Sequence, residues 1–119
     1  MPYHPTRFIC IALTMMICTL AVQANDPIKK KYVIIDVRSD GEFNDDHVKG
    51  ALHMGYRSID KLIGKKVPDK KQKIYVYCAV GYRAGMPKKT LEKMGYTNVH
   101  NGGGLRSMRT TLAKLDETK

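Results

Sequence analysis

"KIYVYCAVGYRAGMPKKTLEKMG" (73–95) is the stretch on which the fold turns. "KIYVYC" (73–78) is a continuous run of apolar, β-branched and aromatic residues, the pattern of a strand buried on both faces. "AGMPKKTLEKMG" (84–95) reads as a helix. Leu91 and Met94 supply its apolar face, and Pro87 falls near the start, where backbone N–H groups lack intrahelical partners. Gly95 is placed to end it in a left-handed conformation. Only Ala79, Val80, Gly81, Tyr82 and Arg83 separate the two, so a strand runs through one tight loop into a helix.

The pattern repeats outward in both directions. "YVIIDV" (32–37) is a second buried-strand run, and "ALHM" (51–54) a weaker one. "SIDKLIGKKV" (58–67) carries Ile59, Leu62 and Ile63 at helical spacing and stops at the turn "PDKK". After the central helix come a short strand, "TNVH" (97–100), a sharp turn at "NGGG", and a last helix, "LRSMRTTLAKL" (105–115), with "DETK" as a fraying tail. Strand and helix alternate throughout, without internal repeats. That order predicts an α/β fold: a mainly parallel central sheet with helices on both faces.

The beginning of the chain has a different character. "MPYHPTR" carries Arg7 and no acid, and "FICIALTMMICTLAV" (8–22) is almost wholly apolar before the small-residue exit "VQA". This is the pattern of a secretory signal peptide cleaved after Ala24. Fifteen residues fall short of the roughly 20 a membrane-spanning helix needs, so no stable membrane anchor is expected after cleavage. Cys10 and Cys18 each follow Ile rather than a small residue, which argues against a lipoprotein cleavage site. The expected organisation is a signal peptide at 1–24, a flexible leader at 25–31 and one domain at 32–116, working in the periplasm.

Export changes what the cysteines mean. Two of the three lie in the removed segment, so Cys78 stands alone in the mature chain and no internal disulfide can form. A single thiol without a Cys/His cluster makes no zinc site, and no metal or cofactor is expected. The mature chain loses one of 21 basic residues and none of 11 acids, which moves the net charge from +10 to +9. Lysine runs at 29–31, 65–66, 70–71 and 88–89 read first as solvated faces. They would also attract small anions or an anionic membrane surface. No aromatic–basic motif points to nucleic acid, and none is expected as a partner.

Cys78 is then either an inert buried thiol or a reactive one. In a parallel α/β sheet, ligands sit outside the carboxyl ends of the strands, where loops lead into helices. Cys78 occupies such a junction. The loop's N–H groups and the positive end of the following helix dipole stabilise negative charge on its sulfur. Gly81 lets the loop curl where a Cβ would not, and Arg83 supplies a fixed positive charge to contact an anion or brace the loop. Together these features favour a nucleophile over a packing residue.

Three segments, in order, resemble the rhodanese family. "CAVGYRAG" (78–85) is similar to the family's Cys-x-x-Gly-x-Arg active-site loop. "IIDVRSDGEFNDDHVKGALHM" (34–54) resembles its amino-terminal signature of Asp-x-Arg, then Glu, then His-hydrophobic-x-Gly-Ala. "MGYTNVHNGGGL" (94–105) resembles its closing strand and Gly-Gly turn. With the signal peptide, the chain looks like the small exported single-domain rhodaneses of the phage-shock type. The resemblance implies a thiosulfate sulfurtransferase. Cys78 attacks the outer sulfur of thiosulfate, sulfite leaves, and the persulfide passes its sulfur to cyanide or a thiol. Ala79, Val80, Gly81, Tyr82 and Arg83 form the substrate-binding loop, with Tyr82 at the pocket mouth or on the surface. Asp36 and Arg38 are expected in a structural polar network and His47 in a turn. His53 and His100 lack ligand-spaced partners and read as ordinary. Asp46 stands where the family usually has Gly, and Met108 where many members carry Trp.

Two alternatives compete. A phosphatase or arsenate reductase of related fold uses a Cys-x5-Arg loop, whereas four residues separate Cys78 from Arg83. A non-catalytic rhodanese module that binds a partner protein leaves Cys78 unexplained.

Overall fold

The computed structural model describes residues 31–80 and 83–118. The expected signal peptide, the leader apart from Lys31, and loop residues Gly81 and Tyr82 lie outside the described residues. Among the described residues four strands, β1 (Val33–Asp36), β2 (Leu52–His53), β3 (Ile74–Tyr77) and β4 (Val99–Asn101), alternate with four helices. The helices are α1 (Asp40–Asp45), α2 (Ile59–Lys66), α3 (Gly85–Lys93) and α4 (Leu105–Glu117). The sheet order is β2-β1-β3-β4 and every pairing is parallel. The α/β architecture is the one the alternation predicts.

The two apolar runs, β1 and β3, become the central pair, in register from Val33 opposite Ile74 to Asp36 opposite Tyr77. Their alternating side chains feed two cores. Ile35, Ile74 and Val76 pack with Ile59 and Ile63 of α2 and Leu91 of α3. On the other face, Ile34 and Tyr77 pack with Val48 and with Met108 of α4. Each buried aliphatic side chain here would cost about 2–5 kcal/mol on truncation to Ala.

Two local expectations are corrected, and one helix is new. Leu62 is 40 % exposed, although its spacing matches Ile59 and Ile63. It lies at the margin of the stripe, and the i, i+4 pair alone faces the core. Asp116 and Glu117, expected in a fraying tail, extend α4, and Tyr32 donates its hydroxyl hydrogen to Asp116. Helix α1 carries no apolar period, because none of its residues is buried. It forms through a capping box instead. Ser39 Oγ accepts from the Glu42 N–H, and the Glu42 carboxylate accepts from the Ser39 N–H at 3.0 Å. Ser-Asp-Gly-Glu (39–42) is that motif in the sequence.

Candidate functional site

Parallel strands all end at the same edge, so the loops after β1, β2, β3 and β4 meet there. Cys78 is the residue after β3, fully buried among core side chains that include Met54, Ile59 and Ala84. It carries a thiol, not a disulfide. Its backbone N–H donates to the Gly103 carbonyl at 3.0 Å, and Gly102 N–H donates to the Val76 carbonyl at 2.7 Å. The β4 exit turn therefore continues the sheet's hydrogen bonding one step past β3 and holds the Cys78 backbone in place.

That turn requires glycine. Gly103 has φ +77°, and its N–H donates to Asn101 Oδ1 at 2.9 Å. Gly104 bridges Val80 in antiparallel fashion, and a Cβ on it would come within 2.5 Å of the Ala79 carbonyl oxygen. The sequence shows "NGGG" as a turn. That it buttresses the cysteine loop follows only from packing. Met108, on α4, is fully buried and fills the space beside Gly102, so it takes a packing place beneath the same turn.

On the opposite side of the loop, Arg83 donates from Nη2 to Glu42 Oε1 at 3.2 Å. Glu42 is thus shared between the α1 cap and the loop. Its carboxyl is held down to about 2, first by the Ser39 N–H, then by the Ser39 hydroxyl, with Arg83 contributing less. Glu42 belongs to the amino-terminal signature, but its pairing with Arg83 spans 41 positions and no local pattern announces it.

Asp36 and Arg38 come together behind the site. Arg38 clamps Asp36 through Nε at 2.9 and 3.0 Å and Nη2 at 2.7 Å, and Nη2 also donates to the Asp46 carbonyl. Tyr77 donates to Asp36 Oδ2 at 2.6 Å and accepts from the Val48 N–H at 3.0 Å. Burial first, then the bond to Asp36, pushes the Tyr77 phenol up to about 12. It stays a neutral donor at any working pH, and the Asp36 carboxylate is fully used in structure. This network ties β1, β3 and the chain after α1 together below the strand ends.

His47 lies on the surface, its Nδ1 2.8 Å from the Phe43 carbonyl oxygen and its ring stacked on Phe43 at 3.9 Å. His53 stacks on Phe43 at 4.7 Å, with Nε2 2.8 Å from the Arg38 carbonyl oxygen. Both hold the turn around α1. Asp46, in the position the family usually gives to Gly, has φ −165°, an extended conformation open to any residue. Its carboxylate pairs with Arg109 of α4 and is held below the usual range, chiefly by that hydrogen bond. Among the described residues, no group of three or more His, Cys, Asp or Glu converges to hold a metal ion, and no helix is long and apolar enough to cross a membrane. Ala79 and Val80 complete the described part of the loop, Val80 being 83 % exposed.

A family profile described as Rhodanese-like domain matches residues 20–107. Thiosulfate sulfurtransferase PspE of Escherichia coli K12 is 39 % identical over 80 residues, covering 67 % of this chain and 77 % of the relative. Thiosulfate sulfurtransferase GlpE of Coxiella burnetii is 26 % identical over 100 residues, covering 82 % and 92 %. A solved structure of an E. coli rhodanese with anions superposes with a TM-score of 0.62 at 38 % identity, covering 64 % of this chain and 89 % of that one. The order of the strand-end loops, the cysteine at the β3 exit and these likenesses agree, and the chain belongs to the rhodanese family.

Proposed function

We propose that the protein moves the sulfane sulfur of thiosulfate through a Cys78 persulfide to a thiophilic acceptor such as cyanide or a thiol. Membership of the rhodanese family makes sulfur transfer its chemistry. The donor is carried over from relatives whose names specify thiosulfate. One observation carries the reading. Cys78 lies where the β3 strand gives way to the loop, its backbone held by the β4 turn, with α3 starting seven residues on at Gly85. The positive end of that helix favours an anion at the loop.

In the first half-reaction the Cys78 thiolate attacks the outer sulfur of thiosulfate. The S–S bond of thiosulfate breaks, sulfite departs with the bonding pair, and a persulfide anion remains on Cys78. In the second, cyanide takes the outer sulfur as thiocyanate and the Cys78 thiolate is restored. A thiolate acceptor does the same and leaves as a persulfide. Arg83, held by Glu42, keeps the loop in shape and places positive charge beside the approaching anions. The proposal extends to location: residues 1–24 direct export and are removed, leaving a periplasmic domain.

The test is intact-protein mass spectrometry before and after thiosulfate. One added sulfur atom is expected, mapped to the peptide containing Cys78 and removed by cyanide with release of thiocyanate. Cys78→Ser replaces the thiol with a hydroxyl that is not ionised at neutral pH, and both adduct and turnover are expected to vanish. Wild-type turnover in Cys78→Ser would overturn the proposal.

A further inference from the structure

A cleft of about 280 Å³ opens between the end of β1, the start of α2 and the far end of the cysteine loop. Arg38, Asp40, Tyr56, Arg57, Ser58 and Arg83 line it. The charges in it are not equivalent. Arg38 is taken up by Asp36, Arg83 pairs with Glu42, and Asp40 faces His53 Nδ1 at 3.4 Å. Arg57 forms no ion pair among the described residues. Its Nε donates to the Tyr56 hydroxyl at 2.8 Å, and its guanidinium sits 5.4 Å from the centre of the Tyr56 ring. A guanidinium held against an aromatic face is oriented before any ligand arrives, and its remaining N–H donors are open to a planar anion.

The cleft reaches the Cys78 loop at Arg83, while Cys78 itself is buried and does not line it. Arg83 is the last residue of the Cys78 loop, and Tyr56 packs against the core cluster that contains Cys78. Its volume approaches the lower end of small-molecule pockets, about 300 Å³. Cyanide has no need of such room, nor of the Tyr56 ring as a wall. A thiol with a short carbon skeleton and an acidic group uses all three features: thiolate towards Cys78, carbons along Tyr56, acid on Arg57.

We propose that this cleft is the acceptor subsite, and that Arg57 selects low-molecular-weight thiols carrying a carboxylate. The inference rests on the sulfurtransferase proposal above and concerns its second half-reaction. There the acceptor thiolate attacks the outer sulfur of the Cys78 persulfide, the S–S bond breaks, Cys78 leaves as thiolate, and the acceptor departs as its persulfide.

The experiment preloads the full protein with sulfur from thiosulfate and measures persulfide discharge by three thiols: 3-mercaptopropionate (acidic), 2-mercaptoethanol (neutral) and cysteamine (cationic). At low salt the acidic thiol is expected to show the lowest half-saturation concentration. Arg57→Gln is expected to raise that value about fivefold, the size of one exposed ion pair in water. The maximal rate and the values for the neutral thiol stay as they are, and Arg57→Lys recovers part of the loss. Added salt shrinks the wild-type preference, since an exposed guanidinium is screened. Equal discharge by all three thiols, or an Arg57→Gln effect shared by the neutral thiol, would overturn the inference. So would an effect confined to the loading step, because it would assign Arg57 to the donor. Failure of the protein to load at all would instead count against the sulfurtransferase proposal, so the two failures are distinguishable.

Discussion

Arg83 donates to the Glu42 carboxylate across 3.2 Å, and both side chains are only partly covered. In water such a pair adds little to global stability, about 0.2–1 kcal/mol. Its consequence is local, since one partner ends the cysteine loop and the other caps α1. Arg83→Ala and Glu42→Gln are each expected to lower kcat/KM for thiosulfate about tenfold, with the double variant little worse than either single one. Steady-state kinetics on the four proteins measure this. Additive losses would mean that Arg83 acts on the substrate independently of Glu42. Glu42 also carries a pH signature. Its carboxyl titrates at about 2 in the fold against an ordinary 4.5, so the stability it adds is complete above the ordinary value and is lost as pH falls towards 2. The denaturation midpoints of wild type and Glu42→Gln therefore converge in that acid window.

At the scale of elements, the β4–α4 turn is the least replaceable piece of the site. Gly104 meets the Ala79 carbonyl, a backbone atom that cannot swing aside as a side chain would. Gly104→Ala is expected to cost about 1–3 kcal/mol, as overpacking does elsewhere, and to cut turnover by displacing the Ala79–Val80 backbone beside Cys78. Paired denaturation and activity measurements check both. If the variant matched wild type in both, the turn would not be a buttress of the loop. The strands themselves are short, β2 having two residues, and gain their stability from the two cores rather than from length.

At the scale of the whole molecule, the parallel sheet brings every strand's exit to one edge, where the loops assemble the site. The opposite concern is where that domain works. If the first 24 residues are a signal, the mature protein begins at Asn25 and carries Cys78 as its one cysteine. Amino-terminal sequencing of the protein recovered from a periplasmic fraction is expected to read Asn-Asp-Pro. Recovery of a soluble form beginning at Met1, confined to the cytoplasm, would sink the export proposal.

The sequence by itself determined the order of strands and helices, the parallel α/β class and the position of Cys78 at a strand-to-helix junction. Buried strands and amphipathic helices write their periods locally, and Gly95 and Pro87 mark helix ends within a few residues. Helix α1 escaped that reading because it buries nothing, and only its capping box speaks for it. The tertiary structure alone decided which residues meet. Tyr77 reaches Asp36, and Arg83 reaches Glu42, each across 41 positions, and Gly104 closes on Ala79. Those contacts depend on the strand order β2-β1-β3-β4, which sets the β1, β3 and β4 exits side by side. A local period records which face of a strand is buried; it carries no information about which strand lies next to it.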